Sequence, residues 1–354
     1  MKNKSLIFLL LLLGCANFAQ AEIRATWLPV WNFNTAQKID RALADCQRYG
    51  ITDIIAQVRY RGDAMYIPNK SNRQYPNPEK KSYLLETDFD PLQYLLERAG
   101  SIKIHAWITV FVITPHDLSK IDPAHIYYQQ PQWVTADFTG SDMPHDTHEG
   151  AFLDPGILEV QNYTLNIILD IVSNYPLAGV HLDYIRYPDW YYGLSSSARQ
   201  RYKEETKYED ADSWLAWKEQ QISQFVQTVH QQLQIISPQT ILSAAVIAKP
   251  QEAKERFFQN WYDWLESGYI DYVYPMAYTT SDAALLGLFE LYPAALHPKI
   301  VPGLRAWSSD KSYSVKQINR KIAFSRRYAF AGFALYSYSG IIDNNYFPQL
   351  KIRR

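Results

Sequence analysis

The sequence predicts a single-domain α/β protein, a closed (β/α)₈ barrel of the TIM type. Short apolar runs with the character of buried strands alternate eight times with amphipathic helical patterns along the 354 residues. No Pro/Gly/Ser linker, repeat or low-complexity tract divides the chain, and its length suits one large barrel. No Gly-x-Gly-x-x-Gly follows any of the strands, which argues against an open dinucleotide-binding sheet.

Each predicted element follows from its periodicity. The eight predicted strands span 23–29, 53–60, 102–109, 178–185, 241–247, 270–278, 299–307 and 331–338. Between them, residues 155–174 and 213–236 place apolar side chains at helical spacing. Asp154 before Pro155 is the expected N-cap and first-turn pair of the first of these helices.

Residues 1–21 read as an export signal, with Lys2 and Lys4 ahead of the apolar run at 6–13. Ala19-Gln20-Ala21 fits a simple cleavage site, so we expect the barrel to occupy 22–354 in an exported, periplasmic or secreted protein. The alternative is a lipoprotein signal, which would leave Cys15 acylated as an envelope anchor. No stretch of the sequence approaches the roughly 20 apolar residues that a membrane span requires.

Composition narrows the class of partner. A net charge of −1 argues against a nucleic-acid partner, which needs a basic surface. Aromatic residues make up 15% of the chain, with 27 Tyr and 10 Trp, which suits a ligand with flat apolar faces such as a sugar. Without Cys15, Cys46 has no disulfide partner, and its helical neighbours predict a buried thiol. The oligomeric state is left open.

The most informative stretch is Gly-Val-His-Leu-Asp-Tyr-Ile-Arg-Tyr-Pro at 179–188. Val180 and Leu182 share one face of the predicted strand, whereas His181 and Asp183 share the other. The catalytic face of such a barrel lies at the carboxyl ends of its strands, so Asp183 is expected at the mouth. We expect His181, one pleat deeper, to be a hydrogen-bonded core residue that orients Asp183, with a direct acid–base role as the alternative.

Polar and aromatic residues are expected to surround Asp183. Strict alternation turns Gln57, Arg59 and Arg61 of the second strand into the barrel, and Asp63 follows directly. The remaining candidates for substrate binding are Trp107, Arg186, Tyr187, Tyr278, Trp307 and Tyr336. The arginines would bind sugar hydroxyls or a carboxylate, or else form internal salt bridges.

The chain resembles the glycosyl-hydrolase-like family ten barrels. The resemblance is carried by Arg-Ala-Thr-Trp-Leu at 24–28, Gln-Val-Arg-Tyr-Arg-Gly-Asp-Ala-Met-Tyr at 57–66, His-Ala-Trp at 105–107, Phe-Leu-Asp-Pro-Gly-Ile-Leu-Glu-Val-Gln at 152–161, and the 179–188 strand. It implies a TIM barrel with glycoside hydrolase activity on peptide-free peptidoglycan strands, in which Asp183 and Asp63 match two family acids. The chain departs from some relatives at Tyr184, where they carry a second acid, and at Pro-Met-Ala-Tyr, 275–278, where they carry Pro-Gln-Ile-Tyr.

Glycoside hydrolysis requires two carboxyl groups, unless the substrate supplies the nucleophile. Our hypothesis is that Asp183 is the general acid, its pKa raised by burial, while Asp63 stays ionised beside Arg59 or Arg61. The alternative is a buried ion pair of Asp183 with one of these arginines that only stabilises the barrel. Two other functions remain open: a non-catalytic glycan-binding barrel, and a hydrolase of another exported polysaccharide.

The segment 137–149 is dense in imidazole and carboxylate groups, including His145, Asp146, His148 and Glu149. A metal site is one interpretation, but no second cluster stands at recognisable spacing. We therefore predict a polar loop that lines the substrate cleft, with neither metal nor cofactor.

Overall fold

The computed structural model describes residues 21–86, 88–207, 210–308 and 313–353. Eight parallel strands close into a barrel in which β1 pairs with both β2 and β9, and a short strand, β3, pairs antiparallel with β2. The strands are β1 Ile23–Leu28, β2 Asp53–Tyr60, β3 Asp63–Ala64, β4 Lys103–Thr109, β5 Gly179–Asp183, β6 Ile241–Val246, β7 Tyr272–Ala277, β8 Gly303–Arg305 and β9 Gly332–Tyr336. This confirms the predicted (β/α)₈ fold. The predicted signal and Cys15 lie outside the described residues.

Helices follow the barrel strands and cover their outer faces. They are α1 Ala36–Tyr49, α2 Pro91–Arg98, α3 Ile126–Gln129, α4 Leu158–Asn174, α5 Ser196–Glu205, α6 Ala211–Ile236, α7 Pro250–Phe257, α8 Trp261–Glu266, α9 Asp282–Phe289, α10 Val315–Arg327 and α11 Tyr338–Asp343. Cys46 on α1 is buried, as predicted, and burial raises the pKa of its thiol. None of the described helices is long and apolar enough to cross a membrane.

Aromatic side chains fill the inside of the barrel. A second apolar cluster, separate from the one beneath the helices, consists of Ala25, Trp27, Ile55, Trp107, Tyr274, Val301 and Ala334. Because this layer is packed solid, the barrel has no central channel, and ligands are confined to the end where the strands stop.

The predicted cap of α4 is wrong. The helix begins at Leu158 with Ile157 as its N-cap, three residues later than the Asp154–Pro155 pair implies. Asp154 is fully buried and accepts hydrogen bonds from the backbone N–H groups of Gly156, at 2.9 Å, and Ser195, at 3.3 Å. Its carboxylate therefore joins the segment before α4 to the segment before α5.

A β-bulge in β2 overturns the expected alternation of its polar residues. The register with β4 shifts between Gln57, which pairs with Trp107, and Arg59, which pairs with Ile108. At this bulge, two residues of β2 advance while β4 advances by one. The alternation of side chains therefore reverses, and Arg59 lies on the outer face of the barrel. The prediction that Arg59 points inward and binds substrate is wrong, because its guanidinium has no exposed surface.

Arg59 instead anchors the loop between β3 and α2. It forms a salt bridge with Glu79 at 2.6 Å and donates to the carbonyl oxygens of Thr109 and Val110. The Tyr163 hydroxyl of α4 donates to the same carboxylate at 2.7 Å. Both charges are buried, so each depends on the other for compensation.

Replacing Glu79 by alanine should destabilise the fold by about 3–5 kcal/mol, because it leaves the Arg59 guanidinium buried and unpaired. Urea unfolding followed by circular dichroism measures the loss. The matched control is Arg320→Ala, which breaks an exposed pair with Asp282 and should cost less than about 1 kcal/mol. Equal losses in the two variants would contradict the anchoring role of Glu79.

Candidate active site

Asp183 ends β5 at the mouth of the barrel. Its Oδ2 accepts a hydrogen bond from the indole Nε1 of Trp107 at 2.9 Å, and its Oδ1 accepts one from the backbone N–H of Tyr184 at 2.8 Å. The residue is only 8% exposed, and this burial raises the pKa of its carboxyl to about 6. The two hydrogen bonds favour the charged form and so oppose this shift. Asp183 is thus suited to carry a proton in mildly acidic solution.

His181 lies one pleat below Asp183 and is fully buried. Its Nε2 accepts a hydrogen bond from the Trp27 indole at 3.2 Å, so its proton resides on Nδ1, which lies 3.0 Å from the Ser243 hydroxyl. Burial holds the pKa of the imidazole well below its usual range. His181 is thus a hydrogen-bonded core histidine, but its bonds go to Trp27 and Ser243, so the expected orienting contact with Asp183 is not seen. A contact of His181 with substrate stays a prediction.

The predicted aromatic side chains meet around Asp183. Tyr278 stacks on Tyr336 with ring centroids 4.9 Å apart, and Trp307 lies edge-on to both, at 5.6 and 5.9 Å. These three rings are partly exposed, whereas Trp107 is buried and contacts Tyr336 at 6.3 Å. The strand ends therefore form an aromatic wall with a carboxyl group at its foot, which suits the apolar faces of a sugar.

Arg186 holds a second carboxylate near Asp183. Its Nη2 donates to Oε1 of Glu149 at 3.1 Å, and its guanidinium lies between the rings of Phe152, Tyr184 and Phe257. The predicted substrate contact of Arg186 is therefore replaced by an internal ion pair.

Glu149 is partly exposed, and its charge is close enough to raise the pKa of the Asp183 carboxyl further. Sequence reasoning missed it as a candidate acid because it lies in a loop rather than at a strand end. The available signal was its place in the segment after β4, which was expected to line the cleft.

Asp63 lies in a different environment from Asp183. Burial raises the pKa of its carboxyl to about 7; Ser82 and Arg59 oppose the shift, and the Glu79 charge adds to it. Its Oδ1 is buried and has no hydrogen-bond partner among the described residues. The expectation that Arg59 keeps Asp63 ionised is not supported, because burial outweighs the attraction of this arginine, which is also paired with Glu79.

Asp63 faces a side cavity of about 460 Å³ next to β3. Tyr83, His125 and Trp133 line this cavity, and Asp183 does not. A catalytic role for Asp63 stays a prediction. Arg61, the neighbour of Asp63 in sequence, donates from Nη1 to the carbonyl oxygen of Thr114 at 2.8 Å.

Tyr187 lies away from the aromatic wall. Tyr187 is fully buried against Phe258, so its predicted contact with substrate is wrong.

In the 137–149 loop, the carbonyl of His148 contacts the imidazole of His116, and among the described residues no group of three His, Cys, Asp or Glu side chains is arranged to hold a metal. Sequence reasoning also missed Trp31, which is 51% exposed shortly after β1 and donates to the Ser339 hydroxyl at 2.9 Å.

A barrel with a buried acid and aromatic rings at the carboxyl ends of its strands defines the class of TIM-barrel proteins with a glycosidase-type site. The chain belongs to the family Glycosyl hydrolase-like 10, whose model matches residues 22–291. The family supports a glycosidase-type function.

Two named relatives and one solved structure illustrate the similarity. Glycosyl hydrolase DigH of Escherichia coli K12 is 26% identical over 301 residues, covering 72% of this chain and 63% of DigH. Glycosyl hydrolase YngK of Bacillus subtilis is 24% identical over 295 residues, covering 73% of this chain and 54% of YngK. The PgaB (BpsB) glycoside hydrolase domain of Bordetella bronchiseptica shares the fold at a TM-score of 0.71 and 14% identity, covering 92% of this chain and 97% of that domain. The chain thus spans less than two thirds of either named relative.

The buried Asp183 carboxyl should make the stability of the fold depend on pH. Its pKa lies near 3.8 in the unfolded chain and at about 6 in the fold, so the stabilisation present below pH 4 is lost as the pH rises through 6. The part of the loss due to Asp183 is at most about 3 kcal/mol, and Asp183→Asn should remove this part while the contribution of Asp63, whose pKa is also raised, remains. Urea unfolding at pH 4 and pH 8 measures the difference, with the exposed Asp146→Asn as a control that should keep it.

Proposed function

We propose that this protein hydrolyses glycosidic bonds of a bacterial envelope polysaccharide, with Asp183 as the general acid. The observation that carries the proposal is a carboxyl group with a pKa of about 6 at the foot of an aromatic wall. A group that is protonated near the working pH can donate to the leaving oxygen and later recover its proton.

Glu149 is our candidate for the second carboxylate. Its pairing with Arg186 fixes its position, and its charge acts directly on Asp183. In the proposed reaction, the Asp183 proton moves to the glycosidic oxygen as the bond from that oxygen to the anomeric carbon breaks. Glu149 then either attacks the anomeric carbon or takes a proton from the water that does so. Asp63 is less suited to this step, because it lies in the side cavity with Glu79.

The proposed substrate is peptide-free peptidoglycan glycan. Its amino sugars offer apolar ring faces to Tyr278, Trp307 and Tyr336, as well as hydroxyl groups to the polar residues of the mouth. The chain's likeness to two proteins named glycosyl hydrolases supports a glycan substrate, and its predicted export signal supports a glycan of the envelope. We propose a periplasmic or secreted location on the same signal, with anchoring through Cys15 as the alternative.

Asp183→Asn should lower kcat on peptide-free peptidoglycan strands by about 10²–10⁴-fold, because the substituted side chain cannot donate a proton. Glu149→Gln should cause a loss of similar size, whereas Asp63→Asn should retain most activity. Mass spectrometry of the released products measures all three variants, with chitin oligomers as a second substrate.

Full activity in Asp183→Asn would refute the assignment of the general acid. A large loss in Asp63→Asn, with Glu149→Gln active, would return the second role to Asp63. Retention of glycan without products by the unmodified protein would instead identify a glycan-binding barrel.

The pH profile of kcat/KM should follow the ionisation of the Asp183 carboxyl. Activity should fall as the pH rises past about 6, because the general acid loses its proton. Trp107→Phe removes the indole N–H that stabilises the carboxylate, so the alkaline limb should move to higher pH. A limb that does not move would contradict this hydrogen bond as a determinant of the pKa. Trp264→Phe, which loses a bond to Ser223 remote from Asp183, is the control.

A further inference from the structure

A second aromatic surface lies beyond the mouth of the barrel. Phe138 and Trp190 are 72% and 58% exposed, and Leu215 on α6 is also exposed. Together with Tyr191 and Trp214, they line a groove of about 530 Å³ between the loop after β5 and helices α5 and α6. We name it the distal groove; none of the side chains assigned to the proposed chemistry lines it.

The backbone of Trp190, whose ring lines the distal groove, is held in place by hydrogen bonds. The N–H of Trp190 donates to Oδ1 of Asp189 at 2.8 Å, and its carbonyl oxygen accepts from Nζ of Lys218 at 2.7 Å. Asp189 is held in turn by Arg256 at 2.6 Å. An exposed apolar side chain on a rigid backbone is preorganised for contact. A ligand that stacks on it causes little further loss of conformational entropy in the protein.

Positive charge lies at the same place. The exposed side chains of Arg199 and Lys203 on α5 line the groove and supply the charge, whereas burial lowers the pKa of the Lys218 amine beneath it to about 7. Among the described residues, the acidic side chain in the lining is Asp210, which caps α6 through hydrogen bonds with Ser213. The groove therefore combines aromatic faces with cations, which matches a sugar chain that carries carboxylates.

The distal groove and the proposed active site share a loop. Trp190 and Tyr191 belong to the loop that leaves β5 directly after Asp183. The Tyr191 hydroxyl lies 3.4 Å from Nε2 of His148, and the next residue, Glu149, is paired with Arg186. The same two loops therefore carry residues of the groove and of the proposed site.

We infer that the distal groove binds a remote segment of an anionic glycan whose scissile bond lies at Asp183, with Trp190 as the stacking platform. The inference rests on the proposed function. It adds selectivity for long, carboxylate-bearing chains over short or neutral ones. The lactyl carboxylates of peptide-free peptidoglycan have the required chemistry.

Trp190→Ala should raise KM for long peptide-free strands about 5- to 10-fold and leave kcat unchanged, because one stacked sugar is lost away from the reacting bond. Its activity on oligosaccharides too short to reach the groove should equal that of the unmodified protein. Tyr128→Ala removes a similarly exposed aromatic ring outside the groove and should change neither value.

The charge is tested separately. Lys203→Gln should weaken binding of long strands and reduce its dependence on salt, whereas Lys316→Gln, exposed on α10, should not. Strands whose carboxylates have been amidated should bind the unmodified protein and Lys203→Gln equally.

Direct binding separates this inference from the proposed reaction. Binding isotherms of long strands are measured on Asp183→Asn, with and without Trp190→Ala. They give the contribution of the groove to affinity even if no glycan is cleaved. Equal affinities with and without Trp190 would overturn the inference, and so would an equal loss on short and long substrates. Self-association that Trp190→Ala abolishes, without any effect on glycan, would assign the groove to a second copy of the chain.

Discussion

Desolvation at the end of β5 is the constraint on which the site depends. The barrel interior below Asp183 is filled by Trp27, Trp107 and Tyr274, so no water reaches the carboxyl from beneath. The same packing positions the indole that hydrogen-bonds to it and leaves the neutral His181 below. A carboxyl group in such a place is costly to ionise, which is the property that a general acid needs.

Arginine side chains that the sequence offers as ligands for substrate act instead as internal anchors. Arg59 joins the outer face of β2 to Glu79, and Arg186 joins the loop after β5 to Glu149. In both cases a buried guanidinium fixes a loop at the carboxyl ends of the strands. Arg186 thereby brings a carboxylate from a distant loop to the mouth, and the loop it fixes also carries the wall shared with the distal groove.

Periodicity allowed the barrel, its eight strands and the inward positions of Trp107 and Asp183 to be predicted, because strand alternation is a local property of the sequence. It failed at Arg59, where the register with β4 shifts by one residue. A bulge of this kind depends on how two strands pair, so it leaves no mark in the alternation of one strand. The prediction that Tyr187 lies at the mouth failed for a related reason. A residue just beyond a strand end turns back into the core when its loop folds over it.

The sequence by itself determined the fold class, the strand that carries Asp183, and the aromatic character of the mouth, since each depends on residue type and short-range spacing. Only the tertiary structure decided which acids share a site. It placed Glu149 beside Asp183 and left Asp63 in a side cavity. The physical reason is that loops from different strands meet only once the barrel closes, and the burial and charge that set a pKa exist only after that closure.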